Sequence, residues 1–115
     1  MKQTWIHSVL GTPYVFEFGD RESLELSPEN IGECRVYAKK ILVCTEKEDC
    51  VTEEELDLKV REILAHEIFH AYLNEAGIDL DDSVEEQLAS FYMKNWRKMS
   101  DSILEVADET GFLDK

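Results

Sequence analysis

The segment from Thr52 to Gly77, TEEELDLKVREILAHEIFHAYLNEAG, decides how the rest of the chain is read. Thr52 followed three residues later by Glu55 is a capping box, and Gly77 supplies a stop, so the spacing predicts a helix running to about Glu75. Val60, Leu64, Ile68 and Ala71 form a stripe at helical spacing, expected to lie on a sheet. Inside this helix stands His66-Glu67-Ile68-Phe69-His70, an H-E-x-x-H motif. Residues four apart on a helix lie about 40° apart around the axis and one turn apart along it, so both imidazoles can reach one ion. Glu67, turned about 100° from His66, sits beside the ion instead of on it. There it can take a proton from water and later pass it to a leaving amine. The chain has only three histidines, and two of them fall in this motif.

Upstream of that helix the pattern is strand-like. Thr4–Leu10, Tyr14–Phe18, Cys34–Ala38 and Ile41–Thr45 are short apolar runs separated by turn chemistry at Gly11-Thr12-Pro13, Gly19-Asp20 and Ser27–Gly32. Lys39-Lys40 is expected to close a hairpin between the last two runs. Downstream, a second helix is expected from Asp82 or Ser83 to about Met99, with Phe91, Tyr92 and Trp96 packing it onto the first. The tail from Ile103 to Leu113 reads as a short third helix that packs, or else lies over the cleft and holds it latent. The expectation is a single α+β domain over residues 1–115, mainly strands over 1–50 and mainly helices over 52–115.

Composition bounds the function. There are 26 Asp and Glu against 12 Lys and Arg, a net charge of -14 on 115 residues, of which 43% are hydrophobic. Such a surface repels a phosphate backbone, so no nucleic-acid partner is expected, and an anionic membrane surface is disfavoured for the same reason. No run of 18 apolar residues occurs, and the N-terminal stretch does not read as a signal peptide. Cys34, Cys44 and Cys50 are an odd count at spacings that match no common zinc ribbon; buried, inert thiols in a cytoplasmic protein are expected.

A zinc site needs a third protein ligand and an open position. No histidine follows His70, and His7 lies far upstream in a strand. The natural candidates are carboxylates of the next helix, Glu85 and Glu86, with Asp81 and Asp82 in the preceding loop. On a helical wheel Glu85 falls inside the apolar arc of Tyr92, Trp96 and Met99, while Glu86 falls at its edge beside Met93.

LAHEIFHAYLNEAGI followed by VEEQLASFYMKNW resembles the small gluzincins of phages and prophages (minigluzincins), and is more distantly similar to the ImmA/IrrE-type metallopeptidases. VLGTPYVFEF and the strand pair before the metal helix also look like those phage proteins. The resemblance implies a zincin-like minimal fold, with a three- or four-stranded sheet packed on a metal-binding helix and a glutamate helix. It implies peptide-bond hydrolysis with one zinc ion on His66, His70 and Glu86, and Glu67 as general base. Glu86 is the position followed at +3 by a small residue, Ala89, and at +6 by a bulky one, Tyr92. The substrate would be a peptide or protein. One departure is Ser90, where the family often has an acid that accepts the N–H of the first histidine; serine brings no charge to that bond. Tyr37, Tyr72 and Tyr92 are candidates, by residue type, to steady an oxyanion. The alternative from the same residues is a zinc-binding regulatory or interaction module of this fold, inactive or latent.

Overall fold

The computed structural model describes residues 2–47 and 50–111. Strands β1 (Gln3–Val9) and β2 (Thr12–Gly19) are joined by Leu10 and Gly11, both at positive φ (47° and 85°). That pair of left-handed residues makes the tight turn whose twist matches an antiparallel hairpin. After β2 comes a four-residue helix, α1 (Arg21–Leu24), too short to announce itself by periodicity. Strands β3 (Gly32–Arg35) and β4 (Lys40–Cys44) follow, then the long helices α2 (Glu53–Glu75) and α3 (Asp82–Thr110). The sheet order is β1-β2-β4-β3, with β2 and β4 parallel and the other two pairs antiparallel. The fold is therefore α+β, a four-stranded mixed sheet with two long helices. No helix among the described residues is long and apolar enough to cross a membrane.

Side chains from one sheet face, Tyr14, Phe16, Ile41 and Val43, meet Ile63 and Ala71 of α2 in the main core. Val60, Leu64 and Ile68 pack at its margin, as the apolar stripe requires. The opposite face of β4 is covered by Leu24 and Leu26, which bury Leu42 and Cys44. On that face Glu17 is buried between two cations, Lys2 at 2.6 Å and Lys40 at 3.0 Å. Its carboxyl lies below the usual range, first through the hydrogen bond from Lys2 and then through that from Lys40.

The helix ends follow their sequence signals. The Thr52 side chain accepts the Glu55 N–H, and Ile78 N–H reaches back to the Leu73 carbonyl at 3.0 Å while Gly77 takes φ 72°. Such a bond spanning six residues, with a left-handed glycine, closes a helix. Three expectations need correction. The third strand ends at Arg35, and Val36–Lys39 form the turn, because Arg35 pairs with Lys40. Phe91 is 54% exposed and so does not join Tyr92 and Trp96 in the helix contact. Finally, α3 runs unbroken to Thr110, so there is no separate third helix; Ser100-Asp101-Ser102 contains neither glycine nor proline to stop it. Phe112 and Leu113 of the expected tail lie outside the described residues.

Glu75 ties the end of α2 to the sheet. It accepts hydrogen bonds from Thr12 Oγ1 (2.7 Å), Tyr14 OH (2.7 Å) and Lys39 Nζ (2.6 Å). The role of Lys39 explains a non-glycine residue at φ 53°: its backbone carbonyl receives Val15 N–H, and its ammonium reaches both Glu75 and the Tyr14 ring. These bonds, that from Lys39 first, hold the Glu75 carboxyl down at about 2. A carboxyl lowered in the folded state stabilises fully above its ordinary value of 4.5 and loses that contribution as pH falls toward about 2. Urea denaturation of Glu75→Gln is therefore expected to show lower stability at neutral pH and a shallower loss of stability through that acid window than wild type.

Candidate metal centre

Helix α2 presents His66 and His70 one turn apart, and α3 crosses α2 with the small, fully buried Ala89 at the contact. That close approach brings Glu86 over both imidazoles. His66 Nε2 and His70 Nε2 are 3.3 Å apart. Glu86 stands 3.3 Å from the first through Oε2 and 2.8 Å from the second through Oε1. Ligands about 2.1 Å from a tetrahedral ion are about 3.4 Å from one another. The two imidazole nitrogens match this; Glu86 offers a different oxygen to each ring, and one donor atom from each of the three residues lies within 4.8 Å of the others. His66, His70 and Glu86 are the group among the described residues whose donor atoms converge in this way. Burial, opposed by Glu86, holds His66 below its ordinary pKa, which favours the neutral imidazole a metal requires.

Glu85 and Glu86, the two alternatives for the third ligand, occupy different places. Glu85 meets His70 at Nδ1, on the far side of the ring from the convergent nitrogens. A carboxylate there fixes the tautomer with Nε2 as the free lone pair. Ser90, the expected partner of His66, is instead exposed and makes no hydrogen bond to it. The orienting acid in this chain thus serves the second histidine, not the first. Asp81 caps α3 through Ser83 N–H, and His7 lies on β1 edge-to-face with Phe16, outside the cluster.

Glu67 belongs to the sheet-facing stripe of α2, between Ile63 and Ala71. It is buried, and burial above all pushes its carboxyl up to about 7, with Glu86 and Glu33 reinforcing and His70 opposing. It rests against Gly32 at the start of β3. A methyl group on Gly32 would stand 2.6 Å from Ile63 Cγ2 and 2.9 Å from Glu67 Oε2, so no larger residue fits without a shift. Sequence reasoning placed Gly32 in a loop and missed this contact; a glycine opening a strand was the available signal of close backbone approach.

The cluster lies in a cleft of about 630 Å³ between β3, α2 and α3. Ile31 carbonyl receives Cys44 N–H, so by strand alternation Gly32 and Cys34 turn their backbone groups away from β4, toward the cleft. Cys34 is half-buried there, and burial, aided by the charges of Glu67 and Glu85, pushes its thiol up to about 12. All three cysteines are free, and Cys44 is fully buried. None of Tyr37, Tyr72 and Tyr92 lines the cleft; Tyr92 is stacked on Phe69 instead, with centroids 5.3 Å apart. Besides the two imidazoles and the Cys34 thiol, Asn30, Lys59 and Lys94 are the side-chain donors on its walls. No residue of α3 beyond Lys94 lines it, so the described tail leaves it open.

Compared with known protein families, with curated proteins and with solved structures, the chain matches none.

Titration of the metal-free protein with zinc is expected to show one tight equivalent, lost in His70→Ala. Glu85→Gln should keep the stoichiometry and loosen binding about 10- to 100-fold, the usual cost of removing an outer-shell partner. Gly32→Ala is expected to destabilise by about 1–3 kcal/mol through overpacking. Combined with Ile63→Ala, it should cost less than the sum of the two single changes, measured by denaturation.

Proposed function

We propose that this chain is a zinc-dependent metallopeptidase of the gluzincin type. The observation that carries the proposal is the convergence of His66, His70 and Glu86, one donor atom from each within 4.8 Å of the others, next to a buried carboxyl with a raised pKa. Perturbed acids in a cleft beside a metal-ligand set mark catalytic sites. Two imidazoles and one carboxylate with an open position are a donor set suited to zinc. Zinc, when bound, supplies a Lewis acid that polarises a carbonyl and acidifies water.

The chain's own groups supply the rest. Glu67, which lines the cleft with both histidines, accepts a proton from the attacking water and returns it to the leaving amine. Glu85 keeps His70 in the tautomer that leaves Nε2 free. The outward backbone groups of Gly32 and Cys34 offer an extended peptide a strand edge to pair with, which would lay its scissile bond across α2 at His66 and Glu67. Three free thiols fit a cytoplasmic setting.

One observation favours the second reading, a zinc-binding module that cleaves nothing. The tyrosines that would steady an oxyanion are absent from the cleft, which leaves that task to Lys94, already paired with Glu62 at 2.8 Å, or to Lys59 and Asn30. A single comparison separates the two. Zinc-loaded wild type is expected to cleave a mixed-sequence peptide substrate, and Glu67→Gln to hold one zinc while losing activity about 10²- to 10⁴-fold. Zinc-loaded wild type that leaves every peptide intact would favour the module; equal activity in Glu67→Gln would remove Glu67 from its role.

A further inference from the structure

The sheet has two free edges. One, β3, borders the cleft; the other, β1, has no strand on its outer side among the described residues. Exposed edges are normally blunted by lysine, proline, a bulge or a covering element. Among the described residues β1 has none of these: its seven residues, Gln-Thr-Trp-Ile-His-Ser-Val, carry no charge and no proline, and all but Val9 are exposed. It also carries a large apolar side chain on each face, Trp5 at 61% exposure and Ile6 at 73%.

The backbone geometry of this edge is self-complementary. Val15 N–H donates to Lys39 carbonyl at 2.9 Å, so Val15 turns its backbone groups toward β4. Ile6 is the partner of Val15 in the β1–β2 ladder, and therefore points its own N–H and C=O away from β2. By alternation Thr4 and Ser8 do the same. Ile6 stands midway between them and at the centre of the strand. A two-fold axis at Ile6 thus sets Thr4 against Ser8 of a second copy, Ile6 against Ile6, and Ser8 against Thr4, each pair placed to exchange two hydrogen bonds. On the α2 side, Trp5 falls opposite His7 of the second copy in the closer, non-hydrogen-bonded position, where cross-strand aromatic pairs are favourable.

Charge selects the same occupant. At -14, two copies of this chain repel each other over most of their surface. From Gln3 to Phe16 there are fourteen residues without an Asp, Glu, Lys or Arg, in a chain where 33% of residues are charged. The exposed apolar residues of α3, by contrast, are interleaved with Glu86, Lys94, Arg97, Lys98, Asp101 and Glu105. We infer that β1 is a dimerisation strand: two copies pair antiparallel along it about a two-fold axis at Ile6, joining their sheets into one of eight strands. The contact is independent of the metal centre. A single strand from each copy is smaller than a standard interface, so the dimer dissociates in the micromolar range.

Sedimentation velocity of the full chain from low micromolar to sub-millimolar concentration tests this, with and without a chelator. Wild type is expected to pass from monomer to dimer in both conditions. Ile6→Lys, which sets two cations side by side at the axis, is expected to stay monomeric, and Leu88→Lys on α3 to dimerise as wild type does. A monomeric wild type, a dimer that needs zinc, one that survives Ile6→Lys, or one equally lost in Leu88→Lys would each overturn the inference. Amide exchange in the wild type decides the matter even if Ile6→Lys fails to fold. Thr4, Ile6 and Ser8 should become protected as concentration rises, while Trp5 and His7, already bonded to β2, do not change. Exchange at Ile6 that is blind to concentration would contradict the pairing.

Discussion

The placement of one acid on the buried stripe of a helix governs this structure. Val60, Ile63, Leu64, Ile68 and Ala71 hold α2 on the sheet, and Glu67 occupies a position of the same stripe. Because α2 is pinned on both sides of it, Glu67 is held at the wall of the cleft, and its carboxyl is raised by burial. The same rotation sets His66 and His70 just off the stripe, at the mouth of the cleft, where α3 can reach them. A carboxyl buried against aliphatic side chains costs folding free energy. It is retained beside Gly32, where a Cβ would stand 2.9 Å from its Oε2.

The cluster of His66, His70 and Glu86 is held from two directions. Thr52 caps the start of α2 and Glu75 clamps its end to β2 and the β3–β4 turn, so the histidines sit on a helix fixed at both termini. Glu75 keeps Tyr14, fully buried under α2, as a hydrogen-bond donor, its hydroxyl pushed up to about 12 first by burial and then by Glu75. Ala89 lets α3 approach closely enough for one carboxylate to span both rings. Residues distant in sequence thereby hold these three side chains together.

Much of this was legible in the chain. Local signals with a mechanism, such as the Thr52 cap, the Gly77 stop and the i, i+4 histidines, carried through to the structure because nothing tertiary competes with them. The helical wheel left Glu85 and Glu86 open, since both lie near the arc that faces α2; only the crossing of the two helices separates them, one at Nε2 and the other at Nδ1. The contact of Gly32 with Glu67 was invisible for the same reason, being a meeting of a strand and a helix 35 residues apart. The turn at Val36–Lys39 escaped because Lys39 is left-handed for a tertiary purpose, its pairing with Glu75, that no turn propensity records.

The two sheet edges divide the work the fold proposes: β3 opens to the cleft, and β1 offers a neutral surface on an otherwise acidic molecule. The most direct measurement of the central claim is X-ray absorption at the zinc edge of the metal-loaded protein. A first shell of nitrogen and oxygen alone at about 2.0–2.1 Å, with the outer scattering of two imidazoles, is the expected result. A sulfur at about 2.3 Å, bringing Cys34 or another thiol onto the ion, or the signature of fewer than two imidazoles, would contradict it.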